Sequence, residues 1–408
     1  MFLEILLFMA GGIALGILTG LLPGLHPNTV FVLVLSLAVF FAGFPVIYTL
    51  VFIISLSVSN VFLDFIPSIL FGAPDPDSCL SVLPGHQMLM EGRGYEAVFL
   101  STVGGLGAIM LTILTLPLLL FAIPGIYSQI HPFIHILLIA VVGWMVWTEQ
   151  GSKKIWALLV FALAGIFGMI TLNTLPSNLS MFPALTGLFG LSGLIVSFYG
   201  KSKLPEQKKA VRIESRLAKG TVLGWFAGMI AGLLPGIGSS QAGIVAGQAF
   251  RAKTKDFLTA LGGINAANII FTLVAFYTLG KTRSGAVSAM AQLTPSISVN
   301  ELMLLMVVAM LTTLISVILT LKIAGLVITR MHSVSYRKIN LSIIVFLIAA
   351  VVLFTGLIGI LISFAGTLLG IAAIKLGVKR SHMMGFLILP TILYFSGLTA
   401  GVSHFMGI

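Results

Sequence analysis

Few side chains in this sequence can do chemistry, and most of them fall at two pairs of matching places. The phrase Gly16-Ile-Leu-Thr-Gly20-Leu-Leu-Pro23-Gly24 returns about half a chain later as Gly228-Met-Ile-Ala-Gly232-Leu-Leu-Pro235-Gly236. His26, Asn28 and Thr29 follow the first phrase; Gly238, Ser239 and Ser240 follow the second. Pro and Gly break an apolar run in both. Where a helix is broken at membrane depth, the N–H groups opening the next half-helix point into the gap with a partial positive charge and can bind an anion. The carbonyls freed on the other side can coordinate a cation such as Na+. Both gaps therefore offer exposed backbone together with small polar groups, a pattern suited to an ion or a small anionic substrate.

A second pair of landmarks follows. Asn60 precedes Gly72 by the same interval that separates Asn268 from Gly280. The stretch after Gly72 carries Asp75 and Asp77, and the stretch after Gly280 carries Lys281 and Arg283. These are either solvated surface loops or further broken-helix tips. In the second case Lys281 and Arg283 meet the anion, the guanidinium matching carboxylate or phosphate oxygens as a fork. Asp64 lies inside an apolar run, where an ionisable group is costly and by default functional. With Asn60 it is a candidate for ion coupling, as a proton carrier or an Na+ ligand; paired with a helix-end donor it would be structural. Asn265 and Asn268 can ligate an ion or substrate, or join helices by hydrogen bonds. The glycines at 16, 20, 228 and 232 form small-xxx-small faces, whose first use is close helix packing.

The elements that must hold these groups are membrane helices. The chain has 408 residues, 58% hydrophobic and 8% charged, with mean hydropathy +1.15. A soluble domain cannot hide that much apolar surface, so an all-α polytopic protein in contact with membrane lipids is expected. The net charge of +11 does not indicate nucleic-acid binding, because the Lys and Arg residues fall in short loops between apolar runs. The single cysteine, Cys79, excludes an intrachain disulfide and a cysteine-based metal site. No haem, zinc or nucleotide-loop spacing is present, so no cofactor is expected beyond a coupling ion. The first apolar run lacks a basic segment before it and reads as a retained membrane element.

The apolar runs of the first half are 3–22, 28–43, 46–71, 96–123, 133–149, 154–172 and 184–199. Those of the second are 220–234, 241–250, 257–279, 300–328, 339–357, 358–377 and 383–406. This divides the chain into a first membrane repeat (1–200), a basic cytoplasmic linker (201–219) and a second repeat (220–408). Runs 28–43 and 241–250 are short for a crossing of about 20 residues, and each follows a Leu-Leu-Pro-Gly break. Each break is either a kink in one helix or the tip of a re-entrant hairpin. Charge favours the hairpin. If 220–250 enters and returns, Arg251, Lys253 and Lys255 share a side with the linker, and Arg93, Lys153, Lys154, Arg330, Arg337, Lys338, Lys379 and Arg380 follow them there. The first hairpin then enters from the opposite face. The halves become an inverted repeat, the arrangement of secondary transporters.

These phrases resemble the large membrane subunit of tripartite tricarboxylate transporters, the TctA family. The resemblance spans most of the chain. Its carriers are the stretch Gly20 to Pro27, Ile69 to Pro74, Gly85 to Met88, Glu91 to Gly94, Gly232 to Gly238 and Gly262 to Asn268. Three places depart from the family phrase: His26 stands where Gly is usual, Leu261 to Ile264 replaces an acidic stretch, and Gly280 to Ser284 replaces a Pro-Gly loop. The chain thus looks like a divergent member. The resemblance implies a non-enzymatic, ion-driven carrier of carboxylates, with a small membrane subunit and an extracytoplasmic binding protein as partners; a homodimer is compatible with it. It also places the site at Pro23, Gly24, Pro235 and Gly236 and around Asn265 and Asn268. The competing reading is a polyprenyl-phosphate translocase, for which a cavity open sideways to lipid would speak. An intramembrane enzyme would need a carboxylate partner for Asp64, and none is evident.

Overall fold

The computed structural model describes residues 2–22, 43–72, 82–174, 177–199, 205–209, 211, 217–234, 238–249, 253–331 and 336–406, and among these all regular structure is helical. Helix α1 is Phe2–Leu21 and α2 is Val46–Ile66, continued by a π-helical turn Pro67–Phe71. Then come α3 (Val82–Met90), α4 (Gly94–Ile130), α5 (Ile134–Trp147), α6 (Lys153–Thr174) and α7 (Ser177–Leu185). A second π-helical turn, Thr186–Leu191, leads into α8 (Ser192–Tyr199). The second half holds α9 (Leu217–Leu233), α10 (Ser239–Ala249), α11 (Thr254–Leu279), α12 (Gly285–Leu293) and α13 (Val299–Met331). It closes with α14 (Tyr336–Leu376), α15 (Gly385–Phe395) and α16 (Thr399–Met406). Among the described residues seven helices are long and apolar enough to cross a membrane, so the protein is a multi-pass membrane protein. Leu114, Leu118 and Phe121 on α4 and Leu353, Leu357 and Leu361 on α14 are exposed, as helices facing hydrocarbon require.

The duplicated glycines set the packing. A Cβ on Gly16 would lie 2.6 Å from the Leu56 carbonyl oxygen, and one on Gly20 would lie 2.7 Å from that of Asn60. In the second half, a Cβ on Gly228 would lie 2.9 Å from the Ile264 carbonyl and one on Gly232 would lie 3.0 Å from that of Asn268. Only glycine lets the backbones approach so closely. The contacts climb together along both partners, so α1 runs parallel to α2 and α9 runs parallel to α11. A parallel neighbour demands that the chain come back between the two. By Phe44 it has done so, since Phe44 meets Phe8 edge-on near the start of α1, with ring centroids 5.4 Å apart. In the second half α10 makes the return. Its start bonds Asn268, and near its end Gly247 packs on Phe257, close to the start of α11.

Both long partners end alike. Pro67 has no N–H to give the preceding turn, and the helix widens there. Gly72 then closes α2 at φ 64°, ψ 24°, and Gly280 closes α11 at φ 60°, ψ 25°. This left-handed cap favours glycine because any Cβ would be strained.

Helix α11 is the centre of the molecule. Leu258, Ala266 and Ile270 join a core formed with α2, α4 and α13, while Ala260, Leu261 and Ile264 join a core formed with α6, α10 and α15. Gly104 of α4 and Gly262 of α11 pack directly on the Thr259 and Ser101 carbonyls of the opposite helix. The first-half and second-half units are therefore interlocked. Part of the linker is also fixed: Gln207 is buried, accepts from the Gly94 N–H at 3.0 Å and donates to the Leu89 carbonyl at 2.8 Å.

Several helix boundaries differ from the sequence expectation. Run 383–406 is two helices, because Gly397 takes φ 73° and ends α15. Run 96–123 continues to Ile130 through Pro117 and Pro124, which membrane helices tolerate. Run 184–199 is split by the π-helical turn, and the short helices α3 and α12 have no counterpart among the apolar runs. The expected division near 357 is present as a break at Gly356, φ 65° and ψ −157°. Residues 28–42 of run 28–43 lie outside the described residues.

Candidate functional site

Pro23, Gly24, His26, Asn28, Thr29, Pro235 and Gly236 lie outside the described residues, but the walls flanking both breaks are defined. Spans Val46–Phe71 and Thr254–Leu279 each have 26 residues, and Asn60 and Asn268 sit near their midpoints. The glycine register brings each asparagine beside the last turn of the helix that enters its break. The Asn60 Nδ2 donates to Thr19 Oγ1 at 3.0 Å, and Thr19 donates to the Gly16 carbonyl at 3.2 Å. The Asn268 Nδ2 reaches across the second break and donates to Ser239 Oγ at 3.2 Å. Ser239 opens α10 and is fully buried, as is Ser240 beside it.

One turn earlier on α11, Asn265 is 3% exposed, and its Oδ1 accepts no hydrogen bond among the described residues. An amide oxygen left without a donor costs about 1–3 kcal/mol. A cation, or a ligand O–H, would satisfy it.

One turn beyond each asparagine the two units diverge. In the first, half-buried Asp64 accepts from Ser68 Oγ at 3.3 Å. In the second the matching residue is Thr272, which donates to the Ile269 carbonyl at 2.8 Å and accepts from Ser284 Oγ at 3.3 Å. The scaffold is shared, but a charge stands on one side and a hydroxyl on the other.

Ser284 also caps α12 by accepting from the Val287 N–H at 3.3 Å, so the stretch after Gly280 folds back onto α11. Arg283 meets α4. Its Nη2 donates to Tyr127 Oη at 2.5 Å, and its guanidinium carbon lies 5.3 Å from the centre of that ring. Lys281 is exposed. Among the described residues no hydrogen bond joins either cation to Asn268 or Ser239. The structure thus gathers Asn268, Ser239, Thr272 and Ser284, and holds Arg283 against α4. Thr19, Thr272 and Tyr127 were not singled out from the sequence. The equal spacing of Asn60–Asp64 and Asn268–Thr272 was the available signal for Thr272; nothing local marks Tyr127.

Arg93, Lys153, Lys209, Lys255 and Lys379 are brought to one side of the molecule through a chain of contacts. Glu96 takes Arg93 at 2.9 Å and Lys255 at 3.0 Å, tying the start of α4 to the start of α11. Leu70, at the end of α2, packs on Gly94. Lys209 lies against Gly325 near the end of α13, and Lys153 lies against Gly377 at the end of α14. In the same corner buried His382 bonds Glu149 at 3.0 Å, and Glu149 also accepts the Lys379 N–H at 3.1 Å. Burial holds His382 below the usual histidine range, with Glu149 opposing part of that shift.

The sequence profile of the Tripartite tricarboxylate transporter TctA family matches residues 6–385. The chain belongs to that family. It is accordingly a membrane component of a tricarboxylate-type transport system. An uncharacterised protein of Methanocaldococcus jannaschii is 30% identical over 355 residues, which cover 84% of this chain and 88% of that one. No solved structure shows a significant match. Within this TctA-family chain, the phrases shared by the two halves are those that set the glycine register and hold the asparagines.

Proposed function

We propose that this TctA-family protein is a secondary active transporter of an organic anion, driven by Na+ or H+, with alternating access around its paired Pro-Gly breaks. One observation carries the reading. Two asparagines, Asn60 and Asn268, stand at equal positions near the middle of two equivalent helices, each beside a break. Breaks paired in this way are where transporters built from repeats bind their cargo. The contacts at the helix ends support an inverted arrangement. The end of α2 and the start of α11 share the basic side, so the two equivalent units point in opposite directions. The positive-inside rule makes that side cytoplasmic.

The unequal halves suggest a division of labour. Asp64 and Asn60 serve the coupling ion, and the two breaks hold the anion, Pro23, Gly24, His26, Asn28 and Thr29 at the first and, more strongly, Pro235, Gly236, Ser239, Ser240, Asn265 and Asn268 at the second. Lys281 and Arg283 draw the anion toward the second unit. The family's tripartite character supports a small membrane subunit and an extracytoplasmic binding protein as partners.

The test is uptake into proteoliposomes of a panel of mono-, di- and tricarboxylates, with imposed Na+ or pH gradients and with partner subunits where needed. Gradient-driven accumulation of at least one carboxylate is expected. Absence of uptake of every carboxylate, together with transbilayer movement of a polyprenyl phosphate, would replace this reading with that of a lipid-carrier translocase.

A further inference from the structure

Three of the four tryptophans meet at one turn on the basic side: Trp144 and Trp147 in the last turn of α5 and Trp156 in the first turn of α6. All three are exposed, Trp147 at 76%. An exposed tryptophan in a membrane protein belongs at the headgroup level, where its ring stays out of water and its N–H stays wet. Below this turn Trp156, Leu159, Leu163 and Ile166 are exposed at helical spacing and form an apolar stripe down α6.

Three lysines converge on the same turn from two distant parts of the chain. The Lys154 Nζ lies 4.5 Å from the centre of the Trp147 ring. Lys379, from the segment after α14, donates from Nζ to Thr148 Oγ1 at 3.0 Å and to the Thr148 carbonyl at 3.4 Å. Lys153 lies against Gly377. Each of these partners is neutral, and among the described residues no carboxylate pairs with any of the three ammonium groups. Glu149, the acid of this corner, is buried and engaged elsewhere: its Oε1 meets His382 Nε2 and accepts the Lys379 backbone N–H. No acidic residue stands in the first turn of α6. Lys153 and Lys154 therefore sit at the positive end of that helix, where a cation is disfavoured and a nearby anion is stabilised.

We propose that the α5–α6 turn binds an anionic phospholipid, with Lys153, Lys154 and Lys379 on the head phosphate, the tryptophan rings beside the head and an acyl chain along the α6 stripe. Basic clusters between membrane helices suit anionic heads of this kind. A zwitterionic head would bring its own ammonium against three lysines. A soluble phosphate would use the lysines and leave the adjoining apolar stripe bare. Packing of the segment after α14 on the end of α5 sets the spacing of the ammonium groups, so the site belongs to the fold and not to α6 alone. It lies apart from the paired asparagines and does not rest on the transport reading. Uptake can fail while this binding survives, and the reverse.

The test uses the full-length protein carrying Trp225→Phe, which leaves only the three tryptophans of this turn. It is placed in phosphatidylcholine nanodiscs with a rising fraction of phosphatidylglycerol brominated in its chains, and tryptophan emission is followed, since bromine quenches on contact. Quenching is expected to exceed what the mole fraction of phosphatidylglycerol predicts, whereas brominated phosphatidylcholine should give the proportional value. Lys153→Gln combined with Lys154→Gln should weaken the preference by roughly tenfold or more, each lysine near an anionic head being worth about fivefold. Lys153→Arg combined with Lys154→Arg should keep it. Native mass spectrometry supplies a readout free of tryptophan: the unaltered protein should retain phosphatidylglycerol, and Lys379→Gln, which leaves the Lys154–Trp147 contact in place, should retain about fivefold less. Inorganic phosphate added at constant ionic strength should not remove the preference; if it does, the lysines serve a soluble anion and the lipid is overturned. The proposal also fails if the two brominated lipids quench equally at equal mole fraction, or if the double Gln variant keeps the full preference.

Discussion

Asn268→Ala separates a ligand from helix glue, because the two roles predict different magnitudes. The side chain makes one described hydrogen bond, 3.2 Å to Ser239 Oγ. Interhelical hydrogen bonds in membrane proteins average about 0.6 kcal/mol and reach about 1.7. Loss of this bond should therefore cost roughly 0.5–2 kcal/mol of stability, read as a modest fall in denaturation midpoint in mild detergent. If the amide also bonds a charged ligand in the gap, the variant loses a further interaction of about 1.5–3 kcal/mol. At about 1.4 kcal/mol per tenfold, that is an affinity loss of roughly 10- to 150-fold. The assay is substrate affinity by calorimetry alongside initial uptake rates at several substrate concentrations. Asn60→Ala removes a bond of similar length, 3.0 Å to Thr19, in the equivalent unit; it should cost similar stability and, because Asn60 is assigned to the coupling ion, change the ion dependence of uptake rather than anion affinity. The reasoning is refuted if Asn268→Ala keeps affinity and uptake within about threefold of the unaltered protein, under about 0.7 kcal/mol, while its stability falls as expected. The residue would then only tie α10 to α11.

Asp64→Asn should fold and insert normally yet abolish gradient-driven accumulation; full driven uptake by that variant would remove Asp64 from coupling. Arg283→Ala should weaken substrate binding by about 2–5 kcal/mol if a desolvated guanidinium meets the anion, with Arg283→Lys restoring only part because the fork is lost. A change below about 1 kcal/mol that salt screens away would leave Arg283 as a clamp on Tyr127. Because His382 is held below its unfolded pKa, the unfolded chain takes up a proton first as the medium is acidified. Thermal stability should thus fall as pH drops through the ordinary histidine range, about 6.5, and be flat above it. His86 is held low by burial as well, so the stability curve of His382→Gln should lose only part of that slope, and an identical slope in the variant would assign the acid sensitivity elsewhere.

How much of this was legible beforehand follows from the range of each signal. Composition alone establishes a polytopic membrane protein, because 58% hydrophobic residues leave no soluble alternative. The repeated Gly-xxx-Gly-Leu-Leu-Pro-Gly phrase and the equal Asn60–Gly72 and Asn268–Gly280 spacings were readable as a duplication, and the glycines pack as such phrases must. Gly72 and Gly280 were readable as matching landmarks, while their left-handed caps appear only in the structure. The partners were not legible. Parallel pairing of α1 with α2 depends on a chain return that periodicity does not describe. Asn268 meets Ser239 only because α10 comes back along α11. Arg283 was readable as a residue at a landmark, but its contact with Tyr127 was not, because Tyr127 comes from a helix distant in sequence. The contact of Arg380 with the Leu188 and Phe189 carbonyls was invisible for the same reason, since those acceptors lie in a π-helical turn far away in the chain. Local sequence sets where a helix breaks and which face approaches closely, since those are properties of a residue and its near neighbours. Which side chains then face one another across a gap is decided by long-range packing.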